Sequence, residues 1–123
     1  MQKQTARRPE ELVPLKPDVF AILLVVLDEP VHGYGIMQRA REHSAGGREL
    51  QTGALYRLLK RMLDDGLIGE VEPAQPAHGG DPRRRYYRAT ELGREVAAAE
   101  GRRMRDLVSA DRLRGLLSET GSP

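Results

Sequence analysis

The reactive side chains that recur in this sequence at regular intervals are mostly cations. Arg57, Lys60 and Arg61 recur at helical spacing behind the small pair Gly53-Ala54. A second group, Arg83-Arg84-Arg85, lies in a run rich in proline and glycine. Three adjacent guanidinium groups repel one another until an anionic partner relieves them, so both groups suit recognition of phosphate. The groups an enzyme would need are poorly placed. His32, His43 and His78 stand in three separate contexts, without the spacing of ligands on one helix face. His32 is expected to order the turn before a helix, and His43 to act as a cation at a helix C-terminus. Asp64-Asp65 are adjacent on a helical stretch, so they point to different sides and cannot share a proton-transfer task. Gly46-Gly47 and Gly79-Gly80 lack the lysine and spacing of a phosphate loop. With no cysteine, disulfides, thiolate metal sites and thiol nucleophiles are excluded. The reading is a protein that binds rather than catalyses, with no cofactor.

The element that must position the first cations runs from Leu50 to Gly66, LQTGALYRLLKRMLDDG. At helical period Leu55, Leu58, Leu59, Met62 and Leu63 share one face, and Gly53, Ala54, Arg57, Lys60 and Arg61 share the other. Thr52 is the expected N-cap, and Gly66 the expected stop. Small residues in the first turn let the backbone approach a surface, and the cations behind them make that surface anionic. A helix that meets the DNA major groove by its N-terminal turn has this layout. An ordinary amphipathic helix with a solvated basic face has it too.

Around this helix, 123 residues make one domain, with room for an appended helix. The formal net charge is only +2, so the case for nucleic acid rests on where the charges sit. One Phe, four Tyr and no Trp make a stacking platform for single strands a poor fit. Residues 1–11 are expected to be a disordered arm, and Leu12-Val13-Pro14-Leu15 an anchoring segment. Pro17 suits a first helical turn. The apolar run Val19 to Leu27 is too short to span a bilayer and reads as a fully buried core helix, in a soluble protein of the cytoplasm. A second helix is expected from Val31-His32-Gly33-Tyr34-Gly35-Ile36 to about Ser44, with Tyr34 placed to donate to a phosphate or, equally, to pack half-buried. Leu67 to Glu72 and Arg85 to Ala89 read as the two strands of a hairpin, with Pro73 to Arg84 as its long basic tip. Thr90 caps a last helix, with Glu91 in its first turn. Its stripe of Leu92, Val96, Ala99, Met104, Leu107 and Val108 is surplus to a filled core, and so suggests a contact with a second copy. Whether the helix continues past Ser109 to Leu113, Leu116 and Leu117 stays open at this level.

Taken in order, Leu15, Glu29-Pro30-Val31-His32-Gly33-Tyr34-Gly35-Ile36, Thr52-Gly53-Ala54-Leu55-Tyr56, Leu63-Asp64-Asp65-Gly66-Leu67-Ile68, Gly79-Gly80, Arg84-Arg85-Tyr86-Tyr87 and Leu92-Gly93 resemble the PadR family of transcriptional regulators. The resemblance covers roughly residues 12–108. It implies a mainly α fold with a small β hairpin: a winged helix-turn-helix over 12–89, a dimerisation helix over 90–118 and a frayed tail over 119–123. It implies a homodimer that binds double-stranded DNA at a pseudo-palindromic operator, usually as a repressor, and no membrane. The short C-terminal segment is similar to the smaller subfamily. The expected DNA contacts are Gln51, Thr52, Gly53, Ala54 and Arg57 near base edges or flanking phosphates, Tyr34, Tyr56, Lys60 and Arg61 at the backbone, and Arg83, Arg84 and Arg85 at phosphates or in a minor groove. The chain departs from the family's usual Gly-Thr-Leu-Tyr-Pro by carrying Gly53-Ala54-Leu55-Tyr56-Arg57, which removes a hydroxyl and adds a long cation. Some members hold flat aromatic effectors between aromatic side chains at the dimer interface. The last helix here has no aromatic, so any effector is unknown. A winged-helix module that binds an acidic protein instead of DNA is the alternative.

Overall fold

The computed structural model describes residues 8–43, 51–72 and 84–121. Its elements follow one another as α1 (Pro17–Val25), β1 (Val31–His32), α2 (Gly33–His43), α3 (Thr52–Asp64), β2 (Ile68–Val71), β3 (Tyr86–Ala89), α4 (Glu91–Val108) and α5 (Asp111–Gly121). The fold is mainly α with a small antiparallel sheet, as the residue pattern predicts. The sheet has a third strand that the pattern does not give. Its order is β1-β3-β2, with Val31 opposite Tyr87 and Ile68 opposite Ala89. The expected hairpin is present, β2 pairing antiparallel with β3; β1 adds to the other edge of β3, which makes β3 the central strand, and α2 begins two residues later than expected, after β1.

α1 is the centre of the core. Pro17 stands at its start, where no backbone donor is lost. Ile22, Leu23 and Val26 are fully buried and meet Ile36 of α2, Leu55, Leu59 and Met62 of α3, and Val96 of α4. The helix is not buried all round, because Leu24 is exposed. The Ala89 N–H donates to the Val26 carbonyl at 2.9 Å, which pins the end of β3 to the end of α1.

α3 buries the expected face. Leu55, Leu59 and Met62 are enclosed, with Leu58 and Leu63 half-buried beside them. Its N-cap is Gln51 and not Thr52; Thr52 is the first helical residue, and its hydroxyl lies 3.8 Å from Met37 Sδ. At the other end Gly66 takes φ +79, the left-handed conformation that glycine reaches without a Cβ penalty. The Gly66 N–H donates to the Leu63 carbonyl at 3.1 Å and the Leu67 N–H to the Met62 carbonyl at 2.9 Å, a paired closure that turns the chain into β2.

Thr90 caps α4 as expected, accepting from the Gly93 N–H at 3.0 Å while its hydroxyl donates to the Gly66 carbonyl at 2.6 Å. Gly93 is required by close approach, because a Cβ there would overlap the Leu67 carbonyl oxygen. α4 ends at Val108 and a separate α5 follows, which answers the question left at Ser109. α5 reaches Gly121, past the point where a frayed tail was expected to begin. Pro9–Leu12 form a short 3-10 turn packed on α4, so the expected arm is ordered from Pro9 onward.

Candidate nucleic-acid interface

The outer face of α3 carries the expected residues. Gln51, Thr52, Gly53, Tyr56, Arg57, Lys60 and Arg61 are exposed, and Ala54 is half-buried. Its cations differ in how far they are already neutralised. Lys60 lies 3.4 Å from Asp64 and Arg61 lies 4.0 Å from Asp65, both pairs one turn apart. Such exposed pairs contribute little to stability, but they place opposite charge beside each cation. The two aspartates sit at the helix C-terminus, where the dipole disfavours them, so the neighbouring cations also offset that cost. Arg57 has no such partner among the described residues. Its guanidinium folds back along the helix, with Nη1 3.6 Å from where a Gly53 Cβ would stand. The uncompensated charge of α3 is therefore concentrated at its first turn, beside the backbone donors that a helix start leaves open.

Beside that turn is a cleft of about 330 Å³, lined by His32, Gly33, Tyr34, Tyr56, Arg84, Arg85 and Tyr87. Four elements meet there: β1, the start of α2, the second turn of α3, and the base of the wing entering β3. A Cβ on Gly33 would stand 2.5 Å from the Tyr56 hydroxyl, so a larger residue there would push the exposed Tyr56 ring aside. Tyr34 is exposed and its hydroxyl accepts from Gln38 Nε2 at 3.2 Å, so the phenolic hydrogen remains for donation outward. Of its two expected roles, the half-buried packing one is set aside. Arg85 is held by Glu70 at 3.3 Å, and Arg84 Nη1 lies 3.4 Å from His32 Nε2. Burial pushes the His32 imidazole below its ordinary value of 6.5, and the Arg84 and Arg39 cations add to that.

Arg83 and the rest of the wing tip, together with His43's side chain and His78, lie outside the described residues. His32 does order the turn, since its Nδ1 accepts the Gly35 N–H at 3.2 Å. Sequence reasoning gave it that structural role alone, and missed that β1 also brings it to Arg84. The signal was available only as an arginine and a histidine 52 positions apart, which no local pattern joins.

The six residues expected to meet a second copy are divided. Val96 is fully buried and Leu92 half-buried against the domain's own core, and Ala99 is buried within the chain as well. These three are covered within the chain, where the first turns of α4 complete the domain's own core, while Glu91, Arg94, Glu95 and Ala98 of the same turns stay exposed. Met104, Leu107 and Val108 remain exposed, with Leu107 at 56%. Among the described residues no helix is long and apolar enough to cross a membrane, and no three acidic or histidine side chains are placed to hold a metal ion.

The chain shares this fold with solved proteins. It is 26% identical to a PadR-like transcriptional regulator from Bacillus cereus, over 80% of this chain and 89% of that one, with a TM-score of 0.65. A PadR-like transcription factor from Bacteroides fragilis is 27% identical over 72% of this chain and 81% of that one, with a TM-score of 0.57. RosR of H. salinarum, 22% identical over 89% of this chain and 96% of that one, shares the fold with a TM-score of 0.64. No curated protein sequence matches. Residues 22–99 match the family described as transcriptional regulator PadR-like. That span runs from the core of α1 to the buried turns of α4 and takes in both the outer face of α3 and the cleft beside it; the chain belongs to the PadR-like family of transcriptional regulators.

Proposed function

We propose that this regulator acts as a homodimeric repressor on a pseudo-palindromic operator, with residues 12–89 as the DNA-binding unit and the exposed stripe of α4 as the seat of dimerisation. The observation that carries the reading is the first turn of α3. It is exposed and free of side-chain bulk at Gly53, and Arg57, which has no partner among the described residues, is folded over it. In this reading Gln51, Thr52, Gly53, Ala54 and Arg57 face base edges, where Arg57 is long enough for a two-point contact to guanine. Tyr34, Tyr56 and Arg84 lie toward the phosphate backbone, with Lys60, Arg61 and Arg85 as weaker contributors because acidic neighbours already hold them. Arg83 is assigned to the same wing. Two copies would set their α3 helices roughly 34 Å apart, one turn of duplex.

A salt titration tests it. Affinity for duplex DNA should fall linearly with salt on logarithmic axes, and each lost phosphate contact should flatten the slope by about 0.9. Arg84→Ala is expected to do so. A chain that is not retained on duplex at low salt, and binds an acidic protein at both low and high salt, would be a protein-interaction module instead.

A further inference from the structure

His32 is approached by a donor on each side of its ring. The Gly35 backbone N–H lies 3.2 Å from Nδ1, and an amide N–H can only donate. Nδ1 is therefore the bare nitrogen, and a neutral ring carries its hydrogen on Nε2. Arg84 Nη1 lies 3.4 Å from that same Nε2, and a guanidinium can only donate as well. Neither group can satisfy the other. What both can do is donate to one oxygen that carries negative charge.

The surroundings favour an anion here. From α2 come the exposed Tyr34 hydroxyl and Arg39, the latter 3.6 Å from Glu29. From α3 comes the Tyr56 hydroxyl, from β3 comes Tyr87, and Arg85 stands just before that strand. Glu70 of β2 is engaged with Arg85 at 3.3 Å. The ring of Tyr86 meets the His32 ring edge-on, with centroids 5.5 Å apart, and fixes its plane. Among the described residues no carboxylate contacts His32 itself. Protonating Nδ1 would break the bond from Gly35, and burial and the nearby arginines oppose that charge too.

We infer that His32 and Arg84 together clamp one phosphodiester of the DNA backbone, with His32 donating as a neutral ring through its Nε2–H. This rests on the DNA-binding reading above and adds to it a residue, a tautomer and a shared phosphate. A neutral donor strengthens the contact without releasing a counterion, so its loss should lower affinity and leave the salt slope alone.

The test uses the full chain and a short duplex of mixed sequence, titrated in salt. His32→Asn keeps an oxygen able to accept the Gly35 N–H but cannot reach Arg84. It should bind about tenfold more weakly, the scale of one hydrogen bond to a charged group, with the wild-type slope. Arg84→Ala should weaken binding and flatten the slope by about 0.9. The double variant should lose less than the two losses combined, because both act on one phosphate. His32→Gln, which restores a donor at the reach of Nε2, should recover part of the affinity. Nitrogen NMR of the wild-type ring reads the same contact without any substitution: the Nε2–H signal should move when duplex is added while Nδ1 stays unprotonated. His32→Asn binding as tightly as wild type, or an Nε2–H signal that does not move, overturns the clamp and leaves the functional reading standing. Wild-type protein that fails to bind duplex at low salt removes both.

Discussion

The Glu100 carboxylate, buried in α4, accepts the backbone N–H of Leu15 at 3.3 Å, a link between positions 85 apart in the chain. The same carboxylate takes Arg103 Nε at 2.9 Å and Nη2 at 2.8 Å. One acidic side chain thus fastens the segment before α1 to the helix whose far end presents the exposed apolar stripe.

Glu100→Gln should therefore lower stability at neutral pH, by about 1–3 kcal/mol for a charged hydrogen-bond partner lost in a buried place. The hydrogen bonds from Arg103 hold the carboxyl below its ordinary 4.5; burial opposes this, and the Leu15 N–H and the Arg103 charge assist it. A value lowered by folding gives stability that is present above the unfolded value and lost as the pH falls through the folded one. The wild type should thus lose its advantage over Glu100→Gln as the pH falls below the ordinary carboxyl value of 4.5, measured by chemical denaturation.

Gly53→Ala separates folding from binding. A Cβ at Gly53 meets nothing closer than Arg57 Nη1 at 3.6 Å, an ordinary contact, so the fold does not need a glycine there. Thermal stability should be unchanged or slightly raised, since alanine is the better helix former. Duplex affinity should fall if this turn approaches bases. Unchanged affinity would mean that the first turn of α3 stays clear of the groove.

The arginines should not behave alike. Arg57→Ala is expected to relax sequence preference, by roughly 1–3 kcal/mol of discrimination at one base pair. Arg84→Ala should weaken all duplexes evenly. Arg85→Ala should do less, because Glu70 already holds Arg85 at 3.3 Å. Competition between a preferred and a scrambled duplex reads all three.

Two apolar substitutions on α4 should part company. Leu107→Glu places a charge on the exposed stripe and should shift sedimentation toward the monomer without lowering stability at high dilution. Val96→Ala cuts into a side chain with no exposed surface and should cost roughly 1–3 kcal/mol of folding stability. A Leu107→Glu chain that still sediments as a dimer would move the interface elsewhere.

Much of this was legible in the residues because the signals were local. Pro17, Gly66 and Thr90 mark ends by the conformations and bonds their own chemistry allows, and the five apolar positions of α3 follow its period. The rest depended on distance. β1 is two residues long, too short for alternation to register, and exists because β3 lies beside it. Leu92, Val96 and Ala99 obey the same helical period as Leu107, and a period cannot say whether a stripe meets its own core or another chain. Thr52 and Gln51 are neighbours at a helix start, where residue type alone chose the wrong cap. The pairing of His32 with Arg84 is a product of the sheet.

Whether the outer face of α3 reads DNA sequence is decided by selecting bound fragments from a pool of random duplexes. The selected pool should be enriched in an inverted repeat whose half-sites are centred about one helical turn apart, and Arg57→Ala should lose one base preference in each half-site. Recovery of an unenriched pool, or of a motif that Arg57→Ala leaves intact, would contradict it.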